Sequence, residues 1–144
     1  MTFNFCSKGD LSMEKVKIMV VDDNKEFCNL IKECIRMRDE VEFSGATFDG
    51  ISALQLIREF NPDIILLDII MPNMDGFKVL KHLRSYEPDK RPKVVVMSVI
   101  PTKECTKRIY ELGASYVIQS KIDIDEIIDK CIMVKRSTEN ACLP

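Results

Sequence analysis

Three carboxylates close two apolar runs: Asp22 and Asp23 follow Val16-Lys17-Ile18-Met19-Val20-Val21, and Asp68 follows Ile64-Ile65-Leu66-Leu67. Such runs suit buried parallel strands, and open α/β sheets place their ligands in the crevice beyond the carboxyl ends of those strands. Brought together there at about 4–6 Å, the carboxylates repel one another, so one must hold a proton or a cation must neutralise the group. Oxygen-only ligands, few in number and at strand ends open to water, suit Mg2+, which keeps several waters and often completes its shell with a phosphate. The plainer reading of each aspartate is a helix cap or a solvated strand end.

The elements that must position these side chains form one repeated unit, a strand followed by a helix. After the strand at 16–21, Asn24 can cap a helix whose stripe is Phe27, Leu30, Ile31, Cys34 and Ile35. A short strand at 41–46 leads to a helix at about 50–60 with Ala53, Leu54 and Ile57 inward, stopped by Asn61-Pro62. The third strand ends at Asp68, and Asp75 can cap the next helix, which turns Phe77, Leu80 and Leu83 to the core. Strand four, at 94–97, ends at Ser98, and strand five lies at about 115–119. The helices that follow present Cys105, Ile109 and Leu112, and then Ile124, Ile127, Ile128 and Cys131. Five such units imply an α/β class, a single doubly wound domain with a parallel sheet covered on both faces. Residues 1–13 are expected to be an N-terminal extension, 14–134 the domain and 135–144 a polar tail, with Met13 a plausible alternative start.

Composition narrows the function classes. A chain of 144 residues with a net charge of −2 carries no basic footprint for nucleic acid. No apolar run approaches the ~20 residues that span a bilayer, and the first residues lack a signal-peptide pattern, so a cytoplasmic location is expected. The six cysteines contain no C-x-x-C pair and no zinc spacing with the lone His82. Cys34, Cys105 and Cys131 read as small buried hydrophobes and His82 as a solvated surface residue.

Four segments in order carry a family resemblance: Val21-Asp22-Asp23-Asn24, then Leu67 to Gly76, then Ser98, then Leu112-Gly113-Ala114-Ser115-Tyr116. Together they resemble the receiver domain of bacterial two-component response regulators, over about residues 15–133. In wording the chain is closest to the receiver of the master sporulation regulator of endospore formers. The resemblance implies the CheY-like, flavodoxin-like sheet order 2-1-3-4-5 and a phosphorelay role, with Asp68 accepting a phosphoryl group from phosphohistidine. It also implies that Asp23 holds Mg2+ directly, Asp22 holds it through water, and the backbone carbonyl of Ile70 adds a further oxygen. Ser98 would give a hydroxyl to a phosphoryl oxygen. The implied partners are a histidine kinase or phosphotransfer protein, and no turnover of a separate substrate is expected. Phosphohydrolases of the haloacid dehalogenase type also use a strand-end aspartate, but they need a second aspartate two residues on, where this chain has Ile70.

Two features depart from the family pattern. The family lysine at the end of strand five falls at Ser120, with Lys121 one residue later. A one-residue slip sends a strand side chain to the opposite face. A bulge near Gln119-Ser120, or a trans path where the family has a cis X-Pro bond, would bring Lys121 round; loss of the contact is the other outcome. The second departure is in the switch, where Val99 follows Ser98 in place of a small residue. Val117 holds the place of the signalling aromatic, with Tyr116 one residue earlier. Two readings follow: a phosphoacceptor module without its own output domain and with an atypical switch, or a degenerate receiver that binds proteins independently of phosphorylation. In either, the expected outlet is the face of helix four, strand five and helix five. The run Ile132-Met133-Val134 either offers that face to a second copy or another regulator, or folds back over the sheet edge.

Overall fold

Apolar side chains on both faces of the inner strands demand helices on both sides of the sheet. The computed structural model, which describes residues 14–69, 76–97, 102–119 and 122–141, has that architecture. Strands β1 (Val16–Val21), β2 (Val41–Thr47), β3 (Ile64–Asp68), β4 (Lys93–Met97) and β5 (Tyr116–Ile118) pair in parallel in the order β2-β1-β3-β4-β5. Between and after them run α1 (Lys25–Arg36), α2 (Gly50–Phe60), α3 (Gly76–Leu83), α4 (Lys103–Glu111) and α5 (Ile124–Ala141), with a 3-10 turn at Pro88–Lys90. This is the doubly wound sheet expected from the sequence, in the 2-1-3-4-5 order that the resemblance implies. Among the described residues no helix is long and apolar enough to cross a membrane.

Strand alternation divides the core in two. Ile18, Val20, Ile64, Leu66 and Val95 face one side, where they pack with Ile31 and Ile35 of α1 and Ile128 and Cys131 of α5. Met19, Val21, Ile65, Leu67 and Val96 face the other, against Ala53 and Ile57 of α2, Leu80 of α3 and Ile109 of α4. Side-chain oxygens start the helices: Asn24 accepts from the Phe27 amide at 3.0 Å, Asp49 from Ser52 at 2.8 Å, Thr102 from Cys105 at 3.1 Å and Asp123 from Glu126 at 2.9 Å. Asn61 ends α2 in the left-handed region at φ 47°, with Pro62 after it.

Two local devices shape the sheet edges. At β2, Phe43 pairs with Ile18 and Gly45 with Met19, so Ser44 is extra, and the resulting bulge places Gly45 at φ 135°. At β5, the Val117 amide donates to the Tyr110 hydroxyl at 3.1 Å and Gln119 Nε2 donates to Thr106 Oγ1 at 3.2 Å, which lays α4 along that edge. On the α1 side, Arg38 donates to Glu40 at 3.1 Å, to Asp129 at 2.7 Å and to the Asp125 carbonyl at 3.3 Å, tying the turn after α1 to α5.

Several expectations change in detail. Leu30 is 56% exposed, and the buried stripe of α1 is Cys28, Ile31 and Ile35. The stripe is rotated because Cys28 Sγ donates inward to the Asp22 carbonyl at 3.5 Å. Ile132 and Val134 are buried in the core beside α1, so the fold-back alternative holds for them and only Met133 of that run is exposed. Helix α5 continues through Ala141, past the point where the polar tail was expected to begin. Cys131 is fully buried, Cys34 and Cys105 are half-buried and His82 is exposed. The expected cap Asp75 lies outside the described residues.

Candidate functional site

β1 and β3 are neighbours in register, Val21 opposite Leu67, so the residues that follow them emerge side by side. Asp22, Asp23 and Asp68 each bring a carboxylate oxygen within 4.8 Å of the others. Their environments differ: Asp22 is buried, Asp68 half-buried and Asp23 exposed. Asp22 is held in place from several directions. Its amide donates to the Thr47 carbonyl at 3.1 Å, its Oδ1 accepts from the Asn24 amide at 2.8 Å, and its carbonyl takes the Cys28 thiol.

Burial raises the Asp22 carboxyl from its ordinary 3.8 to about 6; the charges of Asp68 and Asp23 push the same way, while the Asn24 amide opposes them. Burial, with the charges of Asp22 and Asp23, also pushes the Cys28 thiol up to about 11, which makes it an unreactive donor to the Asp22 carbonyl. A buried carboxyl that resists ionisation, beside one half-buried and one exposed carboxylate, is a donor set that gains from a divalent cation. Oxygen-only chemistry with open positions fits Mg2+.

The close approach of α3 to the end of β3 rests on a residue that sequence reasoning passed over. The Gly76 amide donates to the Ile69 carbonyl at 2.7 Å, and a Cβ at Gly76 would lie 2.5 Å from Ile69 Cα and 2.7 Å from the Asp68 carbonyl oxygen. Only glycine lets the helix start against that backbone. The glycine after Met74-Asp75 was the available signal. Thr47 was also passed over; it is 4% exposed, and its carbonyl fixes the end of β1. Nothing in its residue type announces a role exerted through the main chain.

The remaining expected site residues, Ile70, Ser98 and Lys121, lie outside the described residues, as do Val99 and Ser120. The expected signalling position, Val117, and Tyr116 before it are described. Tyr116 packs on the α5 side, with the Lys130 ammonium 5.4 Å from its ring centroid, whereas Val117 is buried on the opposite face.

A family model for the response regulator receiver domain matches residues 18–132. Solved structures agree. The chain is similar to the receiver domain of a Francisella response regulator, with 28% identity, 86% of this chain and 99% of that chain covered, and a TM-score of 0.76. It is also similar to the signal receiver domain of the response regulator NarL from Mycobacterium tuberculosis, with 29% identity, 85% and 98% coverage and a TM-score of 0.75. The response regulator domain of Thermotoga maritima CheB, at 24% identity, 85% and 98% coverage and a TM-score of 0.75, shares the fold.

Proposed function

Because the chain belongs to the response regulator receiver domain family, we propose that it accepts a phosphoryl group from phosphohistidine onto Asp68. The observation that carries this reading is the convergence of Asp22, Asp23 and Asp68 within 4.8 Å at adjacent strand ends. Asp23, Asp68 and the Ile70 carbonyl would hold Mg2+ directly and Asp22 through water, and the ion would supply the positive charge that an anionic nucleophile and an anionic phosphoryl group need in order to meet. An Asp68 carboxylate oxygen forms the new P–O bond as the P–N bond of the donor breaks. The imidazole, protonated on its other nitrogen, departs as neutral histidine. Asp22, fixed by the Asn24 amide, keeps the donor set in one geometry. Ser98 donates its hydroxyl to a phosphoryl oxygen, and Lys121 is the candidate for the ammonium contact.

The switch is atypical in this reading. Tyr116 packs toward α5 beneath Lys130, and the buried Val117 has no ring to rotate. The donor is a histidine kinase or a phosphotransfer protein, of a sporulation-type phosphorelay if the wording around Asp22 and Asp68 is a guide. The output surface is α4, β5 and α5, offered to another regulator or a second copy. Residues 14–134 make up the receiver unit, which works in the cytoplasm as a phosphoacceptor and turns over no substrate other than its own phosphoryl group.

Incubation with a phosphorylated phosphotransfer protein or acetyl phosphate, with Mg2+, should label the chain, and Asp68→Asn should remove the label. Labelling that survives the substitution moves the acceptor elsewhere. Failure with every donor leaves the degenerate reading.

A further inference from the structure

At the end of the sheet opposite the carboxylates lies a half-open groove of about 1000 Å³. Its floor is the start of β3 and β4, where Ile64 pairs with Lys93; Asp68 pairs with Met97 at the far end, about 13 Å away along the strand. The end of α2, the connection from Tyr86 to Pro92 and Lys135 of α5 form the walls.

The lining carries five basic side chains against two aspartates, on a chain whose net charge is −2. Two of the five are paired, Lys135 with Asp63 and Lys90 with Glu87 at 3.7 Å, which leaves Arg58, Arg91 and Lys93 against Asp89. Asp63 is already engaged, by the Lys17 amide at 2.9 Å and by Lys135 at 3.5 Å. Arg91 turns its guanidinium onto the carbonyls of Arg84 and Tyr86, which fixes the wall without cancelling the charge. Lys93 is half-buried and makes no ion pair among the described residues. A lysine in that position without an acidic partner favours an anion. Arg58 lies 6.0 Å from the centroid of the Tyr86 ring and donates to its hydroxyl at 3.3 Å, which holds the guanidinium at the rim.

The shape of the groove distinguishes among anions. Sites for phosphate gather backbone N–H groups around one point. Here Pro62, Pro88 and Pro92 line the groove without an N–H to give, and the cations are spread along it. Distributed side-chain charge complements several separated carboxylates on an extended chain. We propose that this groove is a docking site for an extended acidic segment of a partner protein, positioned so that the Asp68 end of the sheet stays open to a phosphoryl donor at the same time. The inference does not depend on phosphorylation.

The test is a titration of the isotope-labelled full chain with a short peptide of alternating glutamate and glycine, its glutamine counterpart and inorganic tripolyphosphate, followed by amide chemical shifts. The glutamate peptide should shift the amides of Arg58, Tyr86, Lys90 and Lys93. Binding should weaken with salt and fall about tenfold in Lys93→Gln, and by as much in Lys90→Glu, which gives up only an exposed pair with Glu87. Asp68→Asn should bind like the parent. Shifts centred elsewhere, equal binding of the glutamine peptide, tighter binding of tripolyphosphate or unchanged affinity in Lys90→Glu would each overturn the proposal.

Discussion

Replacing Asp22 with asparagine should make the protein more stable at neutral pH, although it removes a residue of the site. Asp22 is 8% exposed, and its carboxyl is held at about 6 against an ordinary 3.8, by burial first and by the charges of Asp68 and Asp23 next. A shift of about 2 units corresponds to about 3 kcal/mol, borne by the folded state whenever the group is ionised. Coulomb's law gives a similar scale. Two unit charges at the observed limit of 4.8 Å repel by about 0.9 kcal/mol in bulk water and about 3.5 kcal/mol at an effective dielectric of about 20. Asparagine cannot ionise, and its Oδ1 can still accept from the Asn24 amide. The expected gain is about 1–3 kcal/mol, or roughly 3 °C in Tm for each kcal/mol. The sign follows from a raised folded-state value. Above about 6 the cost is present in full; below 3.8 the group is protonated in both states and the cost vanishes. Urea denaturation of parent and Asp22→Asn in a chelator, across that range, should show the variant's advantage fading as pH falls. A variant no more stable than the parent at about pH 7.5, or an advantage unchanged near pH 4, would refute the reasoning.

Mg2+ at about a hundred times its dissociation constant should raise the stability of the parent by about 2.7 kcal/mol, and Asp23→Asn should abolish the gain. Equal melting temperatures of the parent with and without the ion would count against the cluster. Gly76→Ala should cost about 3 kcal/mol, because the new Cβ meets main-chain atoms of Ile69 and Asp68 that cannot give way, and phosphoryl labelling should fall with it. An unchanged denaturation midpoint would show that α3 can shift freely. Arg38→Ala should cost about 1 kcal/mol, since the side chain is 20% exposed and its partners are more so; repeating the urea titration in high salt should shrink the difference.

The strands were legible because 16–21 and 64–68 are near-continuous apolar runs that end at acids, and the end of α2 was legible because Asn61 and Pro62 stop a helix by two different means. Periodicity could not choose between two overlapping stripes in α1. Phe27-Leu30-Ile31-Cys34-Ile35 and Cys28-Ile31-Ile35 both fit a helix, and the Cys28 contact with Asp22, a tertiary event, selects the second. The length of α5 escaped notice for another reason. Residues 135–141 carry no apolar stripe, yet they contain neither glycine nor proline, and good helix formers among them extend a helix already anchored by Ile128 and Cys131. The bulge at Gly45 left no mark beyond a glycine within a strand pattern. At the site, convergence of the three aspartates followed from strand order alone, whereas the role of Gly76 depends on how closely a helix approaches a main chain.

Both margins of the sheet are blunted, and this bears on how the protein behaves when crowded with its own kind. An uncovered outer strand displays unpaired N–H and C=O groups that can template pairing with another chain. At β2 the extra residue beside Gly45 breaks the regular spacing of those groups, so an incoming strand would lose register partway along. At β5 the phenol of Tyr110 occupies an outward amide and α4 is tied alongside, so the short strand offers little to copy. A kinked margin and a lidded one thus guard against strand-to-strand growth. Association with other proteins is left to side-chain surfaces, where charge and shape can discriminate between partners.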